Sequence, residues 1–144
     1  MKLSKFLITG AAFFSASAFA TEVLTYKSPY CGCCTEWVEH MEDAGFTVKV
    51  ENHENMNPIK QKLGLTPQLA SCHTAVIDGY VFEGHIPAKD IKRFLTEKPS
   101  LAGLAVPGMP MGSPGMEYGN EKDPYHVIGF TKNGMTTVYN SYNQ

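Results

Sequence analysis

The chain has 144 residues, with 12 Lys and Arg against 14 Asp and Glu, a formal net charge of −2 and 43% hydrophobic residues. That length suits one domain with a single core. The balance offers no basic stripe for nucleic acid, and the interspersed charges read as an ordinary solvated surface.

Residues 1–20 read as an export signal. Lys2 and Lys5 precede an apolar and small-residue run from Phe6 to Phe19, and Ala18-Phe19-Ala20 fits the small-x-small cleavage pattern. The run is shorter than the roughly 20 residues a membrane span needs. Cleavage after Ala20 leaves residues 21–144 as one exported domain. All four cysteines, Cys31, Cys33, Cys34 and Cys72, fall in it and meet an oxidising compartment.

The elements follow in chain order. Residues 22–26 (EVLTY) read as a strand that stops at Ser28-Pro29. A helix starts within residues 31–34 and runs to Ala44, with Trp37, Met41 and Ala44 at helical spacing and Gly45 as the stop. Residues 46–50 alternate as a second strand, and Asn57-Pro58 opens a short helix through Leu63, closed by Gly64. Residues 74–77 and 80–82 form a hairpin about Asp78-Gly79. A third helix covers 87–97, with Pro87 at its start and Ile91, Phe94 and Leu95 on one face. The order β-α-β-α-β-β-α is that of thioredoxin, an α/β fold with a mixed sheet flanked by helices. Residues 99–124 then read as a long loop rich in Gly, Pro and Met, of the length that tends to be functional. Residues 127–130 and 136–139 close the chain as a hairpin across Lys132-Asn133-Gly134.

Chemistry concentrates at Cys31-Gly32-Cys33-Cys34, between the first strand and the first helix. Three of four cysteines in four consecutive residues argue against two unstrained structural disulfides. Cys31 and Cys34 form a C-x-x-C pair at a helix N-terminus, where the dipole and unpaired N–H groups favour thiolates. Cys33 lies about 100° round the helix from Cys34, where it can hold a second metal or bridge two. Cys72-His73 comes just before the third strand, a junction that faces the C-x-x-C turn in the thioredoxin order. Thioredoxins usually place a cis-proline there; Ser71-Cys72-His73-Thr74 has none. A sulfur in its place shifts the balance from disulfide exchange towards metal binding.

Met109, Met111 and Met116 stand in a Gly/Pro loop with few other apolar side chains. Met usually fills core gaps, yet thiolate with thioether selects Cu(I), and thioethers cannot form disulfides. His85, at a strand end before a helix, suits either ligation or capping. His73 neighbours Cys72, although adjacent strand residues point to opposite faces. His40 shares the Trp37/Met41 face and reads as packed, His53 reads as surface, and His126 is ambiguous.

The chain resembles the CopG-type periplasmic copper-resistance proteins. The resemblance rests on residues 26–34 (YKSPYCGCC) with Trp37, on Ser71-Cys72-His73-Thr74, on 79–87 and on the segments 103–110 and 112–117. It implies a thioredoxin-like domain in which Cys31, Cys33, Cys34 and Cys72 gather a copper cluster; three thiolates this close likewise suit a polynuclear site. It also implies roles for His85, Met109 and Met116 near the metal, a place in copper resistance alongside other periplasmic copper-handling proteins, and interconversion of Cu(I) and Cu(II). No roles for Met111 and His126 follow from it. A thiol–disulfide oxidoreductase using Cys31 and Cys34 is the enzymatic alternative. A zinc-bound or disulfide-stapled domain is the structural one, and it gives no account of the methionine loop.

Overall fold

A computed structural model describes residues 20–144. The export signal expected at residues 1–20 lies outside the described residues except for Ala20. No helix among the described residues is long and apolar enough to cross a membrane.

Strand β1 (Glu22–Lys27) leads through helix α1 (Gly32–Asp43) to β2 (Thr47–Asn52). The two strands run parallel, with Val23 opposite Val48, so α1 is the crossover that parallel pairing requires. Helix α2 (Asn57–Lys62) precedes the hairpin β3 (Thr74–Ile77) and β4 (Tyr80–Glu83). Asp78 and Gly79 both take positive φ, 51° and 81°, as a two-residue turn matched to strand twist demands. Helix α3 (Ala88–Glu97), β5 (Gly103–Ala105), β6 (Tyr125–Phe130) and β7 (Thr136–Tyr142) complete the order. The seven strands form one mixed sheet, β2-β1-β3-β4-β5-β6-β7. The first four strands have the thioredoxin arrangement read from the sequence.

Strand β5 is the departure. It lies inside the stretch expected to be loop, pairs parallel with β4 and antiparallel with β6, and thereby welds the C-terminal hairpin to the thioredoxin sheet. Three residues are too few to display a period. Gly103 is needed there because a Cβ would fall 1.7 Å from the Val81 carbonyl oxygen.

One sheet face carries α1 and α3. Trp37, Met41, Ile91 and Phe94 pack with Phe82, Leu104 and Val127 in the main core. Alternation along the strands turns Val81 and Ala105 to the other face, where Leu65, Leu69 and Phe130 join them. Helix α1 buries Cys34, Trp37, Val38 and Met41, an i, i+3, i+4, i+7 stripe. The cysteine turn is therefore continuous with the core at Cys34.

His40 ties α1 to α3, since its Nε2 accepts the Ala88 N–H at 3.0 Å. An accepting Nε2 must be unprotonated. Burial lowers the His40 pKa, opposed by the charges of Glu117 and Asp43. The depressed value means that this contribution is present above the ordinary imidazole value of 6.5 and is lost as the pH falls through the folded-state value. His40→Ala should lower the stability at neutral pH by about 1–2 kcal/mol, by stranding the Ala88 donor. Urea unfolding checks this, and the variant should lose less further stability than the parent when the pH is taken below 6.5.

Candidate metal centre

Three segments build the site. The first is the turn from β1 into α1. Cys31 is the helix N-cap residue, with extended backbone and no side-chain cap, so first-turn N–H groups are left to whatever lies at the helix end. The second is the loop entering β3. The antiparallel pairing of Tyr26 with Thr74 sets Cys72 beside the end of β1. The third is the methionine loop, which closes over both.

The sulfurs of Cys31, Cys33, Cys34 and Cys72 all lie within 4.8 Å of one another. A second group, Cys72 with the ring nitrogens of His73 and His85, meets the same limit and shares Cys72. Cys31 and Cys34 are joined as a disulfide, whereas Cys33 and Cys72 are free thiols. The expected set of four sulfurs is thus present in one place, two of them bonded to each other. Sulfurs one helical turn apart come close enough to bond, so the oxidised site offers two thiols and the full set requires reduction. Cys33 Sγ is 3.5 Å from Cys31 Sγ.

The imidazole chemistry is set by geometry. His85 Nδ1 lies 2.7 Å from the Pro114 carbonyl, which can only accept, so Nδ1 carries the proton. Nε2 is then the bare nitrogen, and it faces Cys72 Sγ at 3.0 Å. Burial lowers the His85 pKa, opposed by that carbonyl. His73 is fully buried and held well below the usual imidazole range, first by burial and then by the neighbouring His85 and Lys60. Its Nδ1 is 3.3 Å from Cys72 Sγ, and its Nε2 has no hydrogen-bond partner. Burial, with Cys33 adding to it, pushes the Cys72 thiol up to about 12. By themselves, then, the protein groups of the site favour neutral donors. A soft cation reverses that preference, because ligation favours the thiolate.

The walls are specific. Trp37 stacks at a tilt on His73, ring centres 4.4 Å apart, and its Nε1–H donates to the Ile86 carbonyl at 3.0 Å. Behind Cys72 sits a buried polar network that the sequence reading missed. Glu83 accepts the Ser71 N–H at 2.7 Å and the Thr74 hydroxyl at 2.6 Å. Lys60 pairs with the same carboxylate and donates to Thr74 Oγ1 at 3.0 Å. The legible signal was a glutamate ending an apolar strand, Val81-Phe82-Glu83.

The methionine residues divide. Met116 is half-buried and follows Gly115, whose backbone packs on the first turn of α1. Met109 is 51% exposed and lines an open groove with Asp123, Tyr125 and His126; no cysteine lines that groove. Its neighbour Gly108 touches the site, accepting the Ser71 hydroxyl. Met111 is half-buried in the same loop. His126 is exposed, its Nδ1 2.8 Å from Ser141 Oγ, and takes no part in the sulfur cluster. His53 sits beside Tyr26 at the far side of β1.

A thioredoxin-like domain with three cysteines in its first helical turn and a Cys-His pair facing them is a thiol and soft-metal protein by construction. A family model described as "Protein of unknown function, DUF411" matches residues 69–116. No curated protein matches. Two solved structures do. "Copper resistance protein copG- Form 1" has 43% identity and a TM-score of 0.82, covering 88% of this chain and 100% of that one. "Copper resistance protein copG- Form 2" has 44% identity and a TM-score of 0.82, covering 86% and 99%. The chain belongs to the CopG family of copper resistance proteins.

Gly115 offers a direct test of the loop as the lid of this site. Its φ is +83°, and a Cβ there would lie 2.6 Å from the Cys33 carbonyl oxygen and 2.9 Å from the Trp37 nitrogen. Gly115→Ala should cost about 2–3 kcal/mol. Gly108→Ala, equally left-handed but in open space, should cost only about 1 kcal/mol. Chemical denaturation of the two variants checks the difference.

Proposed function

We propose that this chain is an exported, periplasmic copper-binding protein of copper homeostasis, with copper as its cargo. Reduced Cys31, Cys33, Cys34 and Cys72 bridge the metal, and His85 completes the coordination. The observation that carries this reading is the convergence of four sulfurs and two imidazoles around Cys72 within 4.8 Å. The donor set fits a soft ion: thiolates with neutral imidazole suit Cu(I), while hard cations prefer oxygen. Two overlapping ligand groups sharing one sulfur favour more than one copper ion. Met116 lies on the loop over the site and offers a thioether to copper entering or leaving; Met109, on the same loop but in a groove that no cysteine lines, would reach copper only on its way to the site. Interconversion of Cu(I) and Cu(II) belongs to the same reading, as does exchange with other copper-handling proteins.

The Cys31–Cys34 disulfide favours one second reading, a thiol–disulfide oxidoreductase. In that case Cys33, Cys72 and the imidazoles serve no purpose in the reaction.

Anaerobic titration of the reduced protein with Cu(I), followed by elemental analysis, separates the two. A stoichiometry above one per chain is expected. Cys72→Ser should reduce it, because Cys72 belongs to both ligand groups, and His85→Ala should weaken affinity by about 10–100-fold. Rapid disulfide exchange with negligible copper affinity would favour the oxidoreductase instead.

A further inference from the structure

The methionine loop and the C-terminal hairpin meet away from the cysteines, and the groove between them holds donors that the sulfur cluster does not use. Its volume is about 520 Å³, and Met109, Asp123 and His126 line it together with Pro107, Pro110 and Pro124. Met109 is 51% exposed, so core packing, the ordinary use of methionine, does not explain its place. His126 is exposed on β6, and its Nδ1 lies 2.8 Å from Ser141 Oγ on β7. A hydroxyl accepts as well as donates. With Nδ1–H donating, Nε2 is bare and open to a ligand.

The walls of the groove are fixed. Asp123 and Met111 exchange two hydrogen bonds: the Met111 N–H donates to Asp123 Oδ2 at 2.9 Å, and the Asp123 N–H donates to the Met111 carbonyl at 2.9 Å. The Asn143 amide donates to the Asp123 carbonyl at 3.1 Å. Three prolines restrict the backbone further. Met109 is also tied to the cysteine site through its neighbour. The Gly108 N–H donates to the Ala70 carbonyl at 3.1 Å, and the Gly108 carbonyl accepts the Ser71 hydroxyl. Ala70 and Ser71 are the two residues before Cys72.

Resting on the copper reading above, we propose that this groove is a second, separate metal site, in which Met109 Sδ and His126 Nε2 hold one Cu(I) ion loosely before it passes to the cysteines. A thioether with an imidazole is a soft, neutral donor pair and suits a monovalent soft ion. Zinc sites draw on Cys, His and carboxylate, and hard cations draw on oxygen. Without a thiolate the groove binds more weakly than the cysteine site, and that weakness lets it release its ion. The Asp123 carboxylate adds negative charge that favours a cation in the groove. The space exceeds what one ion fills, so a ligand still attached to incoming copper enters with it. No electron is transferred: copper arrives and leaves as Cu(I). Neither donor is consumed when Cys31 and Cys34 bond to each other, so the groove takes up copper in either state of that pair.

The test uses the reduced 21–144 chain with isotope-labelled methionine methyl groups. Cu(I), supplied as its acetonitrile complex, is added without oxygen. Copper held by thiolates resists excess bicinchoninate, whereas copper held only by Met109 and His126 is given up to it. One chelator-labile equivalent per chain is expected beyond the resistant copper. As it binds, the Met109 methyl resonance, identified by its loss in Met109→Leu, should shift. His126→Asn, at an exposed position, should abolish both the labile equivalent and the shift. It should leave the resistant copper unchanged and slow its uptake several-fold. No labile equivalent, an unmoved Met109 methyl or a shift that survives His126→Asn would overturn the proposal. So would a shift lost in Cys72→Ser, because that would place Met109 on the sulfur cluster. Absence of resistant copper would remove the copper reading itself, and the entry role with it; resistant copper without the labile equivalent would remove the groove site alone.

Discussion

A buried carboxylate holds Cys72 in place, and the site depends on it. Glu83 is fully buried and accepts the backbone N–H of Ser71, the residue before Cys72. That anchor, together with the Ser71 hydroxyl bond to Gly108, fixes the approach of the loop entering β3 to α1. Burying the Glu83–Lys60 pair costs several kcal/mol per ion before their attraction and hydrogen bonds offset it. An apolar pair would fill the same space at least as favourably. What an apolar pair could not do is accept a backbone N–H and fix the height of Cys72 above the first turn of α1. The β1–β3 register, with Tyr26 opposite Thr74, delivers the loop to the right end of the sheet; the Glu83 network sets its final position.

From that placement the local chemistry follows. The Pro114 carbonyl fixes the His85 proton on Nδ1 and turns Nε2 towards sulfur. Trp37 and Gly115 close the space around His73 and Cys33. Burial makes charged groups unfavourable here, which is why the Cys72 thiol is raised and both imidazoles are lowered. A cation that pairs with thiolate relieves this penalty, so affinity for a soft metal and reluctance to ionise without it have one cause. In the proposed copper reading, the Cys31–Cys34 disulfide would withdraw those two sulfurs from the metal.

Much of this was legible in the sequence. The Trp37/Met41 spacing placed α1, Asp78-Gly79 placed the hairpin turn, and the thioredoxin order brought Cys72 to face the cysteine turn. Three features were not legible, for different physical reasons. Strand β5 is held by pairing on both edges rather than by its own pattern, and three residues carry no period. The role of Glu83 depends on Lys60 and Ser71, which only the folded chain brings near it. Strand alternation argued against His73 acting beside Cys72, but Cys72 precedes β3 and is not bound by the pleat. The methionines were legible as a group but not individually: Met116 and Met109 occupy different surroundings, which only the path of the loop decides.

Copper K-edge X-ray absorption on the Cu(I)-loaded 21–144 chain tests the central claim most directly, because it counts the atoms bound to the metal. A first shell dominated by sulfur at about 2.3 Å, the usual length of a metal–thiolate bond, is expected, with its sulfur count falling when Cys72 is replaced by serine. A shell of oxygen and nitrogen, or a sulfur shell indifferent to the loss of Cys72, would contradict the convergence on which the copper site is built.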